Sequence, residues 1–371
     1  MVGMMRRTVW VAAGLVAWCS AAGAQRLNQY SGPWVLERSG STAGLRGIDA
    51  VGGGVAWASG TNGTVLRTED GGYEWQRCAL PPGAEKLDFR GIQAWDANDA
   101  IVMSSGTGDQ SRLYETTDGC GSWKLLFTNP DKDGFWDAVV FQSRHLGYLL
   151  GDPVNGRFAF FTTTDGGQSW RRSKAEGLQA GDGASGAFAA SNSVLLGAGG
   201  EPVAFGAAGA FFYSQSFAGA VRLSARRGTP IKMTETWERV AVPLAKTGAS
   251  AGIFSLGWHE GPVEGYGFTL VAVGGDYAKP NDSAGTAAWS ADGGKTWTAA
   301  GKPPHGYRSA VAWDADLKAW VAVGTNGSDI SYDDGKTWVP LDDGNWNAVS
   351  LPWVVGPDGR IGKLDLGRVN K

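Results

Sequence analysis

The chain has 371 residues, a formal net charge of −3, 58 glycines and 18 tryptophans. So many tryptophans exclude a disordered chain and so many glycines argue against a helical one. The small net charge and short basic runs exclude the electrostatic footprint of a nucleic-acid binder.

Met1 to Ala24 reads as a signal peptide. Arg6 and Arg7 form the positive n-region, Thr8 to Trp18 the apolar core, and Ala22-Gly23-Ala24 a small-residue cleavage site before Gln25. The apolar core is too short to span a bilayer. A lipoprotein reading would acylate Cys19, but bulky Trp18 stands where a small residue is expected, so cleavage after Ala24 is favoured. The expected location is periplasmic or extracellular, or the thylakoid lumen in a photosynthetic host. Residues 25–371 are expected to form a single domain.

After residue 30, short Val, Ile, Phe, Trp and Thr runs alternate with glycine clusters, which predicts an all-β fold. Gly32 to Glu37 looks like the fourth strand of a blade. An eight-residue box follows at Thr68 to Trp75, and returns at Thr116 to Trp123, Thr163 to Trp170, Ser290 to Trp297 and Ser331 to Trp338. The pairs Asp70 and Trp75, Asp118 and Trp123, Asp165 and Trp170, Asp292 and Trp297, and Asp333 and Trp338 keep one spacing. Only the second copy breaks the glycine position, with Cys120 in place of the Gly72, Gly167, Gly294 or Gly335 of the others. An Asp-Gly tip between β-rich flanks is a turn: glycine supplies positive φ and the Asp side chain bonds nearby amides. A catalytic or calcium-binding use of these aspartates is the weaker reading, because self-bonded turns are the common use of Asp in such tips. The tryptophan then opens the next strand and buries its ring between sheets.

The boxed aspartates lie 48, 47, 127 and 41 residues apart, and the long interval fits one repeat that has lost its box, Gly183 to Pro243, ending at Trp237. Each repeat has a lead-in, three strands, the box and a fourth strand, which is one propeller blade. The lead-ins align as Leu45-Arg46-Gly47, Phe89-Arg90-Gly91, Phe135-Trp136-Asp137, Ala184-Ser185-Gly186, Ile253-Phe254-Ser255, Tyr307-Arg308-Ser309 and Asn345-Trp346-Asn347, seven in all. The last blade runs out of chain near Leu366, one strand short. A seven-bladed β-propeller of four-stranded antiparallel blades is therefore expected, its ring closed by the N-terminal strand completing the last blade, which leaves no exposed inner edge.

These boxes, lead-ins and export signal resemble the Asp-box (BNR) propellers of the photosystem II stability and assembly factors, over essentially the whole mature chain. The resemblance implies a non-catalytic assembly chaperone with arginines on one face. Arg46, Arg90 and Arg308 match that pattern, while Trp136, Phe254 and Trp346 depart from it. Asp boxes also occur in sialidases, xyloglucan hydrolases and sortilin-type receptors, so the motif specifies fold better than function.

In a propeller the first strands begin at the top face beside the channel, and the loops after the second strands reach the same face. The expected partner-binding surface is Arg46, Arg90, Trp136, Asp137, Asp152, Phe254, Asp276, Arg308 and Trp346, with Asn62, Asp109, Glu201 and Asn326 nearby. Arginines beside aromatics and carboxylates suit a protein or peptide partner, such as a membrane-protein assembly client; a glycan is the other ligand class considered. The bland reading is that the arginines pair with Asp137, Asp152 and Asp276 to fill a polar channel mouth. The rival function is a glycan-acting enzyme using those carboxylates. It lacks the Arg-Ile-Pro segment and Tyr/Glu nucleophile pair of sialidases, and the second propeller of xyloglucan hydrolases.

Other chemistry is thin. His145, His259 and His305 share no ligand spacing, so no metal is expected. No elbow signature supports a Ser-His-Asp triad, and no helix follows the glycine runs to hold phosphate, so no cofactor is expected. Arg222, Arg226, Arg227 and Lys232 form either a solvated loop face or a peripheral docking patch. Cys78 and Cys120, in adjacent repeats of an exported chain, are either disulfide-bonded or free thiols. A monomer is expected.

Overall fold

The computed structural model describes residues 30–181, 186–197, 203–214, 236–245, 248–263 and 266–369. The signal segment with Cys19, Ala184 and Ser185, Glu201, and the basic cluster Arg222, Arg226, Arg227 and Lys232 lie outside the described residues.

The described residues form seven antiparallel sheets, and the first strands of successive sheets contact one another around a complete ring. Blade 1 comprises Leu45–Gly52, Val55–Gly60, Val65–Thr68 and Gln76–Arg77; blade 2, Phe89–Ala94, Ala100–Ser104, Arg112–Thr116 and Lys124–Thr128. Blade 3 is built from Trp136–Phe141, Gly147–Val154, Arg157–Thr163 and Arg171–Arg172. Blade 4, the repeat without a box, comprises Leu195–Leu196, Ala204–Ala207, Ala210–Ser214 and Trp237–Ala241. Blade 5 comprises Ala251–Val263, Tyr266–Asp276, Ala287–Ser290 and Thr298–Ala299; blade 6, Ala310–Asp314, Ala319–Gly324, Gly327–Ser331 and Val339–Asp342.

Blade 7 joins the two ends of the chain. Ala348–Ser350, Trp353–Val355 and Ile361–Leu364 are completed by Trp34–Glu37, in register from Trp34↔Leu364 to Glu37↔Ile361. Tyr30–Ser31 adds a short fifth strand outside it, which the repeat pattern did not predict. Trp34 is fully buried, its ring 6.0 Å from that of Trp346, and its Nε1 donates to Ser328 Oγ of blade 6 at 3.0 Å. On the other side of the blade, Glu37 Oε2 accepts from Trp75 Nε1 at 2.8 Å and from Trp353 Nε1 at 3.2 Å, tying blade 7 to blade 1. The seam is thus bonded on both flanks.

The boxes do the turn chemistry expected of them. Thr68 Oγ1 donates to Asp70 Oδ1 and accepts from Gly72 N, while Asp70 Oδ1 also accepts from Glu74 N, all at 2.9–3.0 Å. The same three bonds recur at Asp118, Asp165, Asp292 and Asp333. The glycine position has φ near +80° to +90°, and Cys120 takes it at +66°. That one departure has a use: Cys120 forms a disulfide with Cys78, stapling blade 2 to the outer edge of blade 1.

Apolar side chains pack between neighbouring blades rather than around one centre. Seven clusters occur among the described residues, such as Trp57, Phe89, Tyr114 and Trp123 between blades 1 and 2. The hub itself is left to polar and aromatic groups.

Candidate functional site: the hub cavity

In four blades the first strand carries a residue that its neighbour does not pair. The register skips Arg46, Arg90, Asp137 and Phe254 in blades 1, 2, 3 and 5. In blades 6 and 7, Ser309 N and Asn347 N donate to Val323 O and Val355 O, the carbonyls of the residues paired with Ala310 and Ala348. Such a bulge re-aims one side chain. All six of these residues line one hub cavity of about 500 Å³. The residues just before them, Leu45, Phe89, Trp136, Ile253, Arg308 and Trp346, are all completely buried between blades.

The lining has three sectors. In the first, Arg46 and Arg90 share Asp88, with Arg46 Nε 3.4 Å from Asp88 Oδ1 and Arg90 Nε 2.8 Å from Oδ2. Arg90 Nη1 also donates to Ala189 O at 3.1 Å. Burial pulls the Arg46 guanidinium below its ordinary pKa, while Asp88 acts to raise it.

The second sector is acidic. Asp137 is 1% exposed, and its Oδ2 has no hydrogen-bond donor among the described residues. Burial first, and Asp152 second, push its carboxyl well above the ordinary range, against the pull of Arg90. Asp152 Oδ1 accepts from Ala187 N at 3.1 Å, and burial raises its carboxyl to about 6. Gly186 makes room for it: a Cβ there would lie 2.3 Å from Asp152 Oδ1.

The third sector is aromatic. Phe254 stacks on Phe188 at 3.9 Å and meets Tyr307 edge-on at 4.8 Å and Tyr277 at 6.1 Å. Burial raises the Tyr307 phenol above its ordinary pKa. Guanidinium donors, carboxyl acceptors and ring faces around one concavity can recognise a chain carrying charged and apolar side chains.

Of the nine residues expected on the binding face, five come together here: Arg46, Arg90, Asp137, Asp152 and Phe254. Trp136, Arg308 and Trp346 are corrections, being 0% exposed. Trp136 stacks on Phe127 at 5.2 Å, and Trp346 Nε1 donates to Asp342 Oδ2 at 3.1 Å. Arg308 pairs with the equally buried Asp329 of blade 6 and donates to Asn326 Oδ1 at 2.6 Å. The physical reason is register: a one-residue slip turns a strand side chain to the opposite face. In blades 3, 6 and 7 the cavity residue is the third of the lead-in, not the second. Asp276 misses the lining by the same single step. It accepts from Ala278 N at 3.0 Å, and hydrogen bonding from Ser250, with Lys279 adding, holds its carboxyl low, while Tyr277 lines the cavity. The bland pairing of arginines with Asp137, Asp152 and Asp276 is replaced by pairing of Arg46 and Arg90 with Asp88 and of Arg308 with Asp329. Of the nearby residues, Asp109 is an exposed partner of Arg112, and Asn62 lies in a turn outside the lining.

Lead-in spacing missed Tyr307, Phe188, Ser309 and Asn347, and the loop positions Tyr277 and Thr325. The first-place aromatics of the lead-ins were the available signal for Tyr307 and Phe135. Among the described residues no group of three or more His, Cys, Asp or Glu could hold a metal ion.

The architecture and hub together define a seven-bladed β-propeller with a mixed-charge, aromatic-walled central cavity. No family model and no curated protein matches the chain. Among solved structures it is similar to YCF48 bound to D1 peptide, with TM-score 0.55 and 17% identity over 91% of this chain and 97% of that one. It is also similar to YCF48 from Cyanidioschyzon merolae, with TM-score 0.54 and 16% identity over 90% and 98%. A third likeness is to the extracellular domain of a B. thetaiotaomicron protein described as a hybrid two component system, with TM-score 0.56 and 10% identity over 90% of this chain and 40% of that one. YCF48 is a photosystem II assembly factor, so the structural likeness and the sequence resemblance meet on the same propeller architecture. At these identities the likeness carries the fold alone.

Proposed function

We propose that this chain is an exported, non-catalytic propeller that binds an extended segment of a protein partner in its hub cavity, in the manner of an assembly factor. The observation that carries the reading is the cavity, where two arginines, two carboxyls and five aromatic residues from six blades converge. Arg46 and Arg90 supply donors for an acidic side chain or a terminal carboxylate, and the rings supply apolar contact. A peptide-bound structure of a propeller with the same architecture supports the ligand class.

The test is panning of a random peptide library against the wild-type protein and against Arg46→Glu/Arg90→Glu, both checked by circular dichroism. Sequences enriched on wild type and lost from the variant are expected. Equal enrichment on both, or none on wild type, overturns the reading. Arg308 is left out of the variant because its reversal would break a buried ion pair.

One observation favours a second reading. The raised carboxyls of Asp137 and Asp152 are a feature of glycoside hydrolases as well. Turnover of aryl glycosides or polysaccharides that disappears with Asp137→Asn or Asp152→Asn would replace the binding reading.

A further inference from the structure

Asp137 is a buried hub carboxyl with one oxygen unmatched among the described residues. An ionised carboxylate is an acceptor only, and burying one without donors in an apolar setting is strongly unfavourable. Asp137 is 1% exposed, yet no described residue donates to its Oδ2. Arg90, whose charge acts on it, donates to Asp88 and Ala189 O and not to that oxygen. Asp152, the second carboxyl of the sector, is fixed on the blade 4 backbone by one amide and keeps further acceptor capacity. Both line the same cavity, beside the stacked Phe188 and Phe254 rings. Two carboxyls and an aromatic face form a setting for an organic cation.

We propose that Asp137 and Asp152 form a cation subsite in the hub cavity, which takes the guanidinium or ammonium of a basic side chain on the bound segment. The proposal rests on the segment-binding reading and sharpens it. The preferred segment carries both signs, with its acidic group against Arg46 and Arg90 and its basic side chain against the neighbouring blade 3. A purely acidic segment would leave Asp137 unmatched.

The charges around the subsite set its pH response. Asp152 faces Asp137 from its own blade and Arg90 from blade 2, with Arg46, Asp88, Tyr277 and Tyr307 elsewhere around the hub. With protein groups alone, Asp152 keeps its proton into the neighbourhood of pH 6, and burial with Asp152 alongside holds the Asp137 carboxyl well above its ordinary range. A cation binds the ionised form, so binding releases a proton, and affinity rises as pH rises. For one group of pKa about 6, affinity should be about tenfold higher at pH 7 than at pH 5.

The experiment titrates N-acetyl-arginine amide into the ¹⁵N-labelled full protein at pH 5 and pH 7, following amide shifts, with N-acetyl-norleucine amide as the uncharged control and N-acetyl-glutamate amide as the anionic probe. Expected are the about tenfold pH effect, much weaker binding of the norleucine probe, and loss of the arginine probe in Asp137→Asn/Asp152→Asn. That variant should keep the glutamate probe, which also shows that it is folded. Asp152→Asn alone, at the less buried position, is the second variant. Equal binding at both pH values, or unchanged binding in the variants, overturns the subsite. Failure is separable from that of the parent reading. Peptides that need Arg46 and Arg90 but carry no basic residue sink the subsite alone. Binding of the arginine probe with no peptide enrichment leaves the subsite standing and sinks the segment.

Discussion

Replacing Arg308 by methionine separates a structural arginine from a recognition arginine. Arg308 and Asp329 are both 0% exposed. Asp329 Oδ2 accepts from Arg308 Nε at 2.6 Å, and Oδ1 from His305 N at 3.2 Å. Removing the guanidinium leaves a buried carboxylate without its countercharge, which typically costs about 3–5 kcal/mol. Replacing both partners by apolar residues, as in Arg308→Met/Asp329→Leu, removes the stranded charge and should recover most of that loss, less about 1 kcal/mol for each hydrogen bond forfeited by His305 and Asn326. Urea unfolding followed by tryptophan fluorescence gives the numbers, with a lower midpoint and unchanged slope expected for the single variant. Panned peptides should bind the folded single variant as they bind wild type. A loss below about 1 kcal/mol, well short of the buried-pair range, or peptide binding abolished with stability kept, would refute the assignment of Arg308 to the blade 6 interior.

Three further outcomes are expected. Trp34→Ala, at the ring's seam, should cost about 3–5 kcal/mol, read as a lower melting temperature; a change under about 1 kcal/mol, the cost of a minor core trim, would mean the seam is not held by this ring. Asp49, half-buried and accepting from Ala94 N at 2.7 Å, is held at about 6 by burial. Its folded pKa exceeds the unfolded value of about 3.9, so the folded state binds the proton more tightly and stability falls as pH rises from 4 to 6. Asp49→Asn should therefore be more stable than wild type at pH 7 by about 1–2 kcal/mol, discounted for partial exposure, with the gap closing below pH 4; a gap that persists at pH 3.5 contradicts this. Reducing the Cys78–Cys120 bridge, which spans 42 residues, should lower stability by up to about 4 kcal/mol on chain-entropy grounds, and non-reducing peptide mapping should recover the linked pair.

The blade count, the box turns and the closing strand were legible because each rests on a local rule repeated many times: Asp-to-Trp spacing, glycine at positive φ, and alternating strands. The hub was legible only to within one residue. Leu45, Phe89 and Ile253 occupy the buried place first in their lead-ins, but Trp136, Arg308 and Trp346 occupy it second. A large hydrophobe marks that place in five cases, so Trp136 and Trp346 could have been sorted by size. Arg308 could not, because what permits its burial is Asp329, on a strand twenty-one residues further along. Phe188 and Tyr277 escaped notice for a related reason: they come from the segment before blade 4 and the loop after a second strand, where no periodicity constrains which side chain turns inward.

The pairing of Trp34 with Leu364 spans nearly the whole chain. A polypeptide threaded from its front must therefore carry its clasp unfastened while six blades assemble, and it stays an open crescent until the last hairpin follows. Until then the flanks of blades 1 and 6 that blade 7 covers have no partner, and unpaired apolar flanks are where a newly made chain meets proteases and its neighbours.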